Sequence, residues 1–317
     1  MSEDGEHAPD GRESGGFLLG GRYRLTERIG SGTTGTVWRA RDEAGERDVA
    51  VKELRLNGDP EDEDHRRGVQ RLHHEARAAS RVDHPAALAI HEVVVEDGLP
   101  WIVMEFVHGE SLRTALERGP LDPAEAARVG LAVLGALRAA HSVGIVHRDV
   151  KPENVLLESG TDRVVLTDFG IGHGPAPVPG ETPGFVAPEQ LAGRGAGPAS
   201  DLWSLGALLH AAVDHEHEHE HEHEHGHEHA GSLSALLALL ARLRAESPEE
   251  RPGAEEVAAV LKDVAGVPSA PSAPESVPGP EPLRIPAPVP APERTPPPRR
   301  PLLTALGLLL PKKPGTD

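Results

Sequence analysis

The chain contains no cysteine, which excludes a disulfide framework and any thiolate-held metal and suits a reducing compartment. Rings are scarce: four Phe, three Trp and one Tyr in 317 residues. Leucine, valine and alanine must therefore fill the core, and the row of exposed aromatics on which single-stranded nucleic acid stacks is missing. Positive charge is also short, since 32 Lys and Arg against 51 Asp and Glu leave a formal net charge of -19, and such a surface repels nucleic-acid backbones and anionic membranes. No apolar run is long enough to span a bilayer as a helix; near the C-terminus the longest is Leu302 to Leu310. Met1 to Gly16 is polar and acidic, without the basic start and apolar stretch of a signal peptide, and residues 1–21 read as a disordered leader. These absences predict a cytoplasmic chain with no nucleic-acid partner and no transmembrane segment.

What is present divides cleanly. Hydrophobic residues make up 38% of the chain, enough for a core. From Arg22 to Val264 strand-like and helix-like stretches alternate, whereas residues 265–317 hold sixteen of the 31 prolines and read as an extended, disordered tail. Short β-branched stretches at Tyr23 to Ile29, Thr36 to Ala40, Asp48 to Leu54, Ala89 to Val95 and Trp101 to Phe106 predict strands, with a helix over Arg66 to Arg81 between them. After Gly109 the character turns helical, most clearly over Ala124 to Val143 and again over Leu233 to Leu243. The pattern predicts an α+β chain of two lobes with a cleft between them: an N-lobe over about 22–107 and a mainly helical C-lobe over about 108–264. A His-Glu alternation, residues 215–229, interrupts the helical half.

Three groups of residues carry chemistry. Gly30, Gly32 and Gly35 lie in a loop flanked by strands, where bare backbone amides can approach phosphate oxygens. A dinucleotide fingerprint would open a helix at this point, but Thr36-Val37-Trp38 reads as a strand. Lys52 ends an apolar strand, and Glu75 on the following helix offers it a counter-charge; without a partner it is a solvated strand end. His147-Arg148-Asp149, Lys151 and Asn154 precede the strand Val155-Leu156-Leu157, and Asp168-Phe169-Gly170 follows the strand Val164-Val165-Leu166. A hairpin of those strands brings Asn154 and Asp168 together as oxygen ligands for magnesium, leaving Asp149 to accept a proton from a hydroxyl.

All of these motifs together, in this order, resemble the protein kinase family, specifically the bacterial serine/threonine kinases related to eukaryotic ones, over some three quarters of the chain. The resemblance implies a two-lobed kinase fold with a five-stranded antiparallel sheet and one helix in the N-lobe. It implies ATP and Mg2+, or Mn2+ in its place, and transfer of the γ-phosphoryl group to protein Ser/Thr hydroxyls, the chain's own included. Gly30, Gly32 and Gly35 match the cover of the phosphates, with Ile29 beside them in the nucleotide site, Val37 and Ala50 the adenine-pocket walls, Met104 the gatekeeper, and Glu105 to Val107 the hinge. Lys52 and Glu75 match the ion pair, Asp149 the base, Lys151 the γ-phosphate contact, Asn154 and Asp168 the metal ligands. Glu189 of Ala-Pro-Glu matches an acid that pairs with Arg251, and Asp201 a helix residue that steadies the catalytic loop. Lys151 and Thr182 match the serine/threonine class.

The chain also departs from the pattern. Its activation segment has no Ser or Thr between Gly170 and Thr182, so that either Glu181 or another acid pairs with Arg148, or Arg148 meets only solvent or backbone. The His-Glu tract stands where relatives carry a substrate-docking loop and helix; it reads as a solvated repeat or as a Zn2+ or Ni2+ site. Pro286 to Pro298 reads as a spacer or a partner's ligand, and Arg299-Arg300 with Leu302 to Leu310 as a peripheral membrane contact. Rival readings are a pseudokinase scaffold and a His-rich metal-responsive protein.

Overall fold

The computed structural model describes residues 16–32, 34–56, 62–172, 184–214 and 228–267. Glu181, Thr182, nearly all of the His-Glu tract and the proline-rich tail lie outside the described residues, so the alternatives drawn for them stand as before.

The first lobe is an antiparallel sheet in the order β1-β2-β3-β4-β6-β5, made of β1 (Leu18–Leu19), β2 (Tyr23–Gly32), β3 (Gly35–Asp42), β4 (Arg47–Leu54), β5 (Ile90–Glu96) and β6 (Leu99–Glu105). Alternation along the strands separates two faces. Tyr23, Leu25, Trp38, Val49, Val51, Trp101 and Val103 pack on one side with Leu19. On the other, Leu54 and Ile102 meet Leu72, Ala76 and Ala79 of α1 (Glu63–Ala79), which fixes that helix across the sheet.

This sheet has six strands where five were expected, and part of the segment assigned to a disordered leader is folded. Leu18 and Leu19 pair with Arg24 and Tyr23, Leu19 is fully buried, and the Phe17 ring lies 5.9 Å from that of Trp101. Burying one leucine contributes about 1.5–3 kcal/mol toward the cost of ordering the short strand, and the Phe17–Trp101 contact adds to it. Gly20 and Gly21, at φ 57° and 67°, make the turn that doubles it back.

The second lobe opens with a small sheet, β7 (Gly109–Ser111), β8 (Val155–Glu158) and β9 (Val164–Leu166), and then is helical: α2 (Leu112–Leu116), α3 (Pro123–Ser142), α4 (Pro188–Leu191), α5 (Pro198–Val213), α6 (Glu228–Leu243) and α7 (Ala254–Val264). Asp122 starts α3 by accepting the Glu125 amide at 2.8 Å, with Pro123 in the first turn where its missing N–H costs nothing. Small residues then let the helices close: a Cβ on Gly130 of α3 would stand 3.0 Å from Leu209 of α5. The two lobes share one core, which runs from Leu54 and Leu72 through Val155, Leu166 and Phe169 to the helices. A backbone seam reinforces it, since Leu88 donates to the Leu166 carbonyl at 2.9 Å and Leu166 to that of Ala86 at 2.8 Å.

Candidate active site

The loop between α3 and β8 is hung from α5. Asp201, in the first turn of α5 and fully buried, accepts the amides of His147 at 2.9 Å and Arg148 at 2.8 Å and lies 2.7 Å from His141 Nε2. These bonds hold Arg148 at φ 70°, a left-handed conformation unfavourable for a residue with a Cβ. His147 Nδ1 accepts the Asp149 amide at 3.3 Å, so its proton is on Nε2, which donates to the Thr167 carbonyl at 2.7 Å. Thus one imidazole ties the segment of Asp149 to that of Asp168.

The expected hairpin forms, with Val155 opposite Leu166, and the Thr167 amide donates to the Asn154 carbonyl at 2.8 Å. Asn154 is buried; its amide nitrogen donates to the Asp149 carbonyl at 2.7 Å and to Asp149 Oδ2 at 2.8 Å. Lys151 Nζ reaches the same oxygen at 2.8 Å. One carboxylate oxygen of Asp149 is thereby fixed from two sides, which orients the other. Because Asn154 spends its nitrogen on Asp149, its side-chain oxygen remains an acceptor, on a residue whose backbone is bonded to the one before Asp168. An amide oxygen and a carboxylate are hard donors that suit Mg2+, an ion held by one or two protein groups together with substrate phosphates. Among the described residues no group of three or more His, Asp or Glu forms an all-protein metal cage.

The structure corrects the pairing of Lys52. Its Nζ, almost fully buried, lies 2.8 Å from Asp168 Oδ1, while Glu75 accepts the Gly172 amide at 3.0 Å and stands 3.9 Å from Arg71. Backbone conformation is the reason: Asp168, Gly170 and Gly172 all have positive φ, at 62°, 61° and 81°. That succession of left-handed residues swings Asp168 to Lys52 and carries Gly172 under α1, where its amide takes Glu75.

The walls of the cleft come from both lobes. Ala50 pairs with Met104 across β4 and β6, and both join Leu88, Val107 and Val165 in one cluster, with Val37 and Leu156 against it. Leu156 and Val165 were not singled out from the sequence. Strand alternation holds the signal for Leu156, since Val155 and Leu157 face the main core and Leu156 must point the other way. The side chain of Glu105 is committed elsewhere. It accepts Arg163 at 3.0 and 2.8 Å and the Ala89 amide at 2.8 Å, so only the backbone of this segment is left for a base edge. Burial pushes the Glu105 carboxyl up, but Arg163 and the amide outweigh it and hold it below the usual range. Gly30 and Gly32 lie on β2 and Ile29 beside them is exposed. Gly35 is required sterically, as its φ is 151° and a Cβ would sit 2.0 Å from the Glu53 carbonyl oxygen.

The expected Glu189–Arg251 pair is present and buried, at 2.7 and 2.8 Å, with Ser200 donating to Glu189 at 2.6 Å. Burial raises the Glu189 carboxyl, yet hydrogen bonds from Arg251 and Ser200 win and bring it to about 2. The pair joins α4 to the start of α5 and to the segment before α7.

Known proteins match this arrangement. The protein kinase domain family model covers residues 23–265. Serine/threonine-protein kinase PknA of Mycobacterium tuberculosis is 38% identical over 213 residues, covering 62% of this chain and 48% of the relative. Serine/threonine-protein kinase PkaA of Streptomyces coelicolor is 33% identical over 286 residues, covering 78% of this chain and 50% of the relative. The chain spans about half the length of the curated relatives it matches. The crystal structure of the M. tuberculosis PknI kinase domain superposes with a TM-score of 0.61 at 30% identity, over 80% of this chain and 99% of that one. With the motifs in place, the two lobes formed and the family model spanning both, the chain belongs to the protein kinase domain family.

Proposed function

We propose that the chain transfers the γ-phosphoryl group of ATP to serine and threonine hydroxyls of proteins, its own included. The carrying observation is Asp149, whose carboxylate is clamped by Lys151 and Asn154 and coupled through His147 to the segment of Asp168. Asp149 orients the incoming hydroxyl and takes its proton as that oxygen bonds to the γ-phosphorus and the bond to the β-phosphate breaks. Lys151, beside the same carboxylate, neutralises charge on the transferred group, and Lys52 holds the remaining phosphates. Asn154 and Asp168 would hold magnesium, which would screen the triphosphate charge. We assign Glu75, which in this structure accepts the Gly172 amide, the place of a second counter-charge to Lys52 beside Asp168. The serine/threonine class is supported by the relatives' names and by Lys151, two residues past Asp149. The complete set of charged groups favours catalysis over a scaffold. With labelled ATP and a generic protein substrate, Asp149→Asn is expected to lower incorporation by about 10²–10⁴-fold. Undiminished incorporation would refute the assignment.

A further inference from the structure

The turn between β8 and β9, residues 159–163, holds at both ends the segment that leaves β6. Arg163 meets Glu105, the last residue of β6, through two parallel bonds, Nη1 to Oε2 at 3.0 Å and Nη2 to Oε1 at 2.8 Å. At the far end of the segment the His108 carbonyl accepts the Ser159 amide at 2.7 Å. Phe106 and Val107 lie between these two fastenings. The Phe106 ring meets that of His108 edge to face at 4.6 Å and carries the Arg39 guanidinium at 5.0 Å, while Val107 is buried against Ala50 and Met104.

The guanidinium of Arg163 joins three stretches of chain. Its Nε donates to the Pro85 carbonyl at 3.0 Å and its Nη1 stands 3.5 Å from Glu158, so the chain before β5, the end of β6 and the end of β8 meet on one side chain. Glu105 in turn accepts the Ala89 amide at 2.8 Å and donates its own amide to the Ala89 carbonyl at 2.9 Å. The pair is partly buried, with 30% and 20% of its side chains exposed, and a two-bond fork of this kind holds direction as well as distance, which a single surface contact does not. The turn is braced from within: Thr161 Oγ1 donates to Glu158 at 2.8 Å and accepts the Arg163 amide at 3.2 Å, and Gly160 takes φ 77°. The same hairpin carries Leu156 and Val165 into the cluster of Ala50, Met104 and Val107. One hairpin therefore supplies an apolar wall of the cleft and fixes the backbone that borders it.

We propose that Arg163 is a positioning residue for the nucleotide: through Glu105, and with Ser159 at His108, it fixes the backbone of Glu105 to Val107 where an adenine edge meets it, and so sets nucleotide affinity and the choice of base. The proposal rests on the kinase reading above. Its donors are spent on Pro85, Glu105 and Glu158, so Arg163 acts on binding and not on the transfer step. The test uses the full chain with a generic protein substrate. Arg163→Ala raises KM for ATP about tenfold with kcat within about twofold, the sign of binding lost equally from ground and transition states. Its preference for ATP over GTP in kcat/KM falls about fivefold or more, because a displaced backbone no longer tells an amino from a carbonyl group on the base. Titration with a non-hydrolysable ATP analogue shows the same loss in Kd. Arg163→Lys keeps the charge without the two parallel bonds and leaves KM about threefold or more above wild type, which serves as the reading if Arg163→Ala does not fold. In a Glu105→Ala background Arg163→Ala adds less than about threefold, since its target is gone. Arg242→Ala, which removes an equal charge from the exposed pair with Glu256, changes neither KM nor base preference. Unchanged KM and base preference in the Arg163 variants, or an equal effect of Arg163→Ala with and without Glu105, overturns the positioning role alone. Absence of transfer by the wild-type chain overturns the kinase reading, and the titration then still decides the role of Arg163.

Discussion

Arg148 and Asp168 both take left-handed backbone conformations, at φ 70° and 62°, which cost a residue with a Cβ about 1–3 kcal/mol each. For Arg148 the offset is visible in Asp201, whose two oxygens serve the amides of His147 and Arg148 and meet His141 Nε2. Asp201→Asn would replace one of those acceptor oxygens by a donor facing donors. We expect a loss of about 3 kcal/mol in denaturant unfolding and a fall in kcat well beyond tenfold, with little change in KM for ATP. Gly35 is a second residue at which backbone decides. Gly35→Ala places a methyl on the Glu53 carbonyl and has no allowed φ to occupy, so the turn between β2 and β3 must open. KM for ATP is expected to rise at least tenfold while the helical lobe keeps its melting behaviour.

At the scale of elements the informative part is α1. Its buried Leu72, Ala76 and Ala79 lock it to the sheet, yet Glu75 on the same helix is bonded to Gly172 and not to Lys52. Glu75→Gln separates the two states, because a glutamine oxygen can still accept the Gly172 amide but offers no charge to Lys52. The expected result is a drop in kcat of about tenfold or more with Tm unchanged; unchanged kcat would remove Glu75 from the proposed mechanism. The end of β6 has its own fastening in Arg163, which reaches Glu105 from the loop between β8 and β9. This link over 58 positions leaves no periodicity in the sequence.

At the scale of the whole molecule, the buried Glu189–Arg251 pair gives a clear pH signature. The Glu189 carboxyl sits at about 2, against an ordinary value of 4.5, so the pair contributes stability above about pH 4.5 and loses it as pH falls toward 2. The contribution is about 3 kcal/mol. Wild type should lose about 2 kcal/mol of that between pH 6 and 3 through this group and the rest below pH 3, whereas Glu189→Gln is less stable at neutral pH and lacks this component of the acid slope. Thermal unfolding across that range checks both. Removing residues 1–19 should lower Tm by several degrees, since it strips β1 and the Phe17–Trp101 contact from the sheet.

The sequence by itself determined which chemistry is present and in what order. Strand and helix periods are local, and so are the turns that put Asp149, Lys151 and Asn154 within six residues, which is why the two-lobed α+β fold and the hairpin joining Asn154 to Asp168 were legible. Helix ends were less so: α1 runs over Glu63–Ala79 and not Arg66 to Arg81, because its first turn is charged and carries no apolar period. The Leu18–Leu19 strand was invisible because two leucines after a polar stretch have no period to detect. Only the tertiary structure decided how the charges pair. Lys52 pairs with Asp168 and not with Glu75, which goes with the left-handed turns at Asp168, Gly170 and Gly172, a backbone path that residue types alone do not specify.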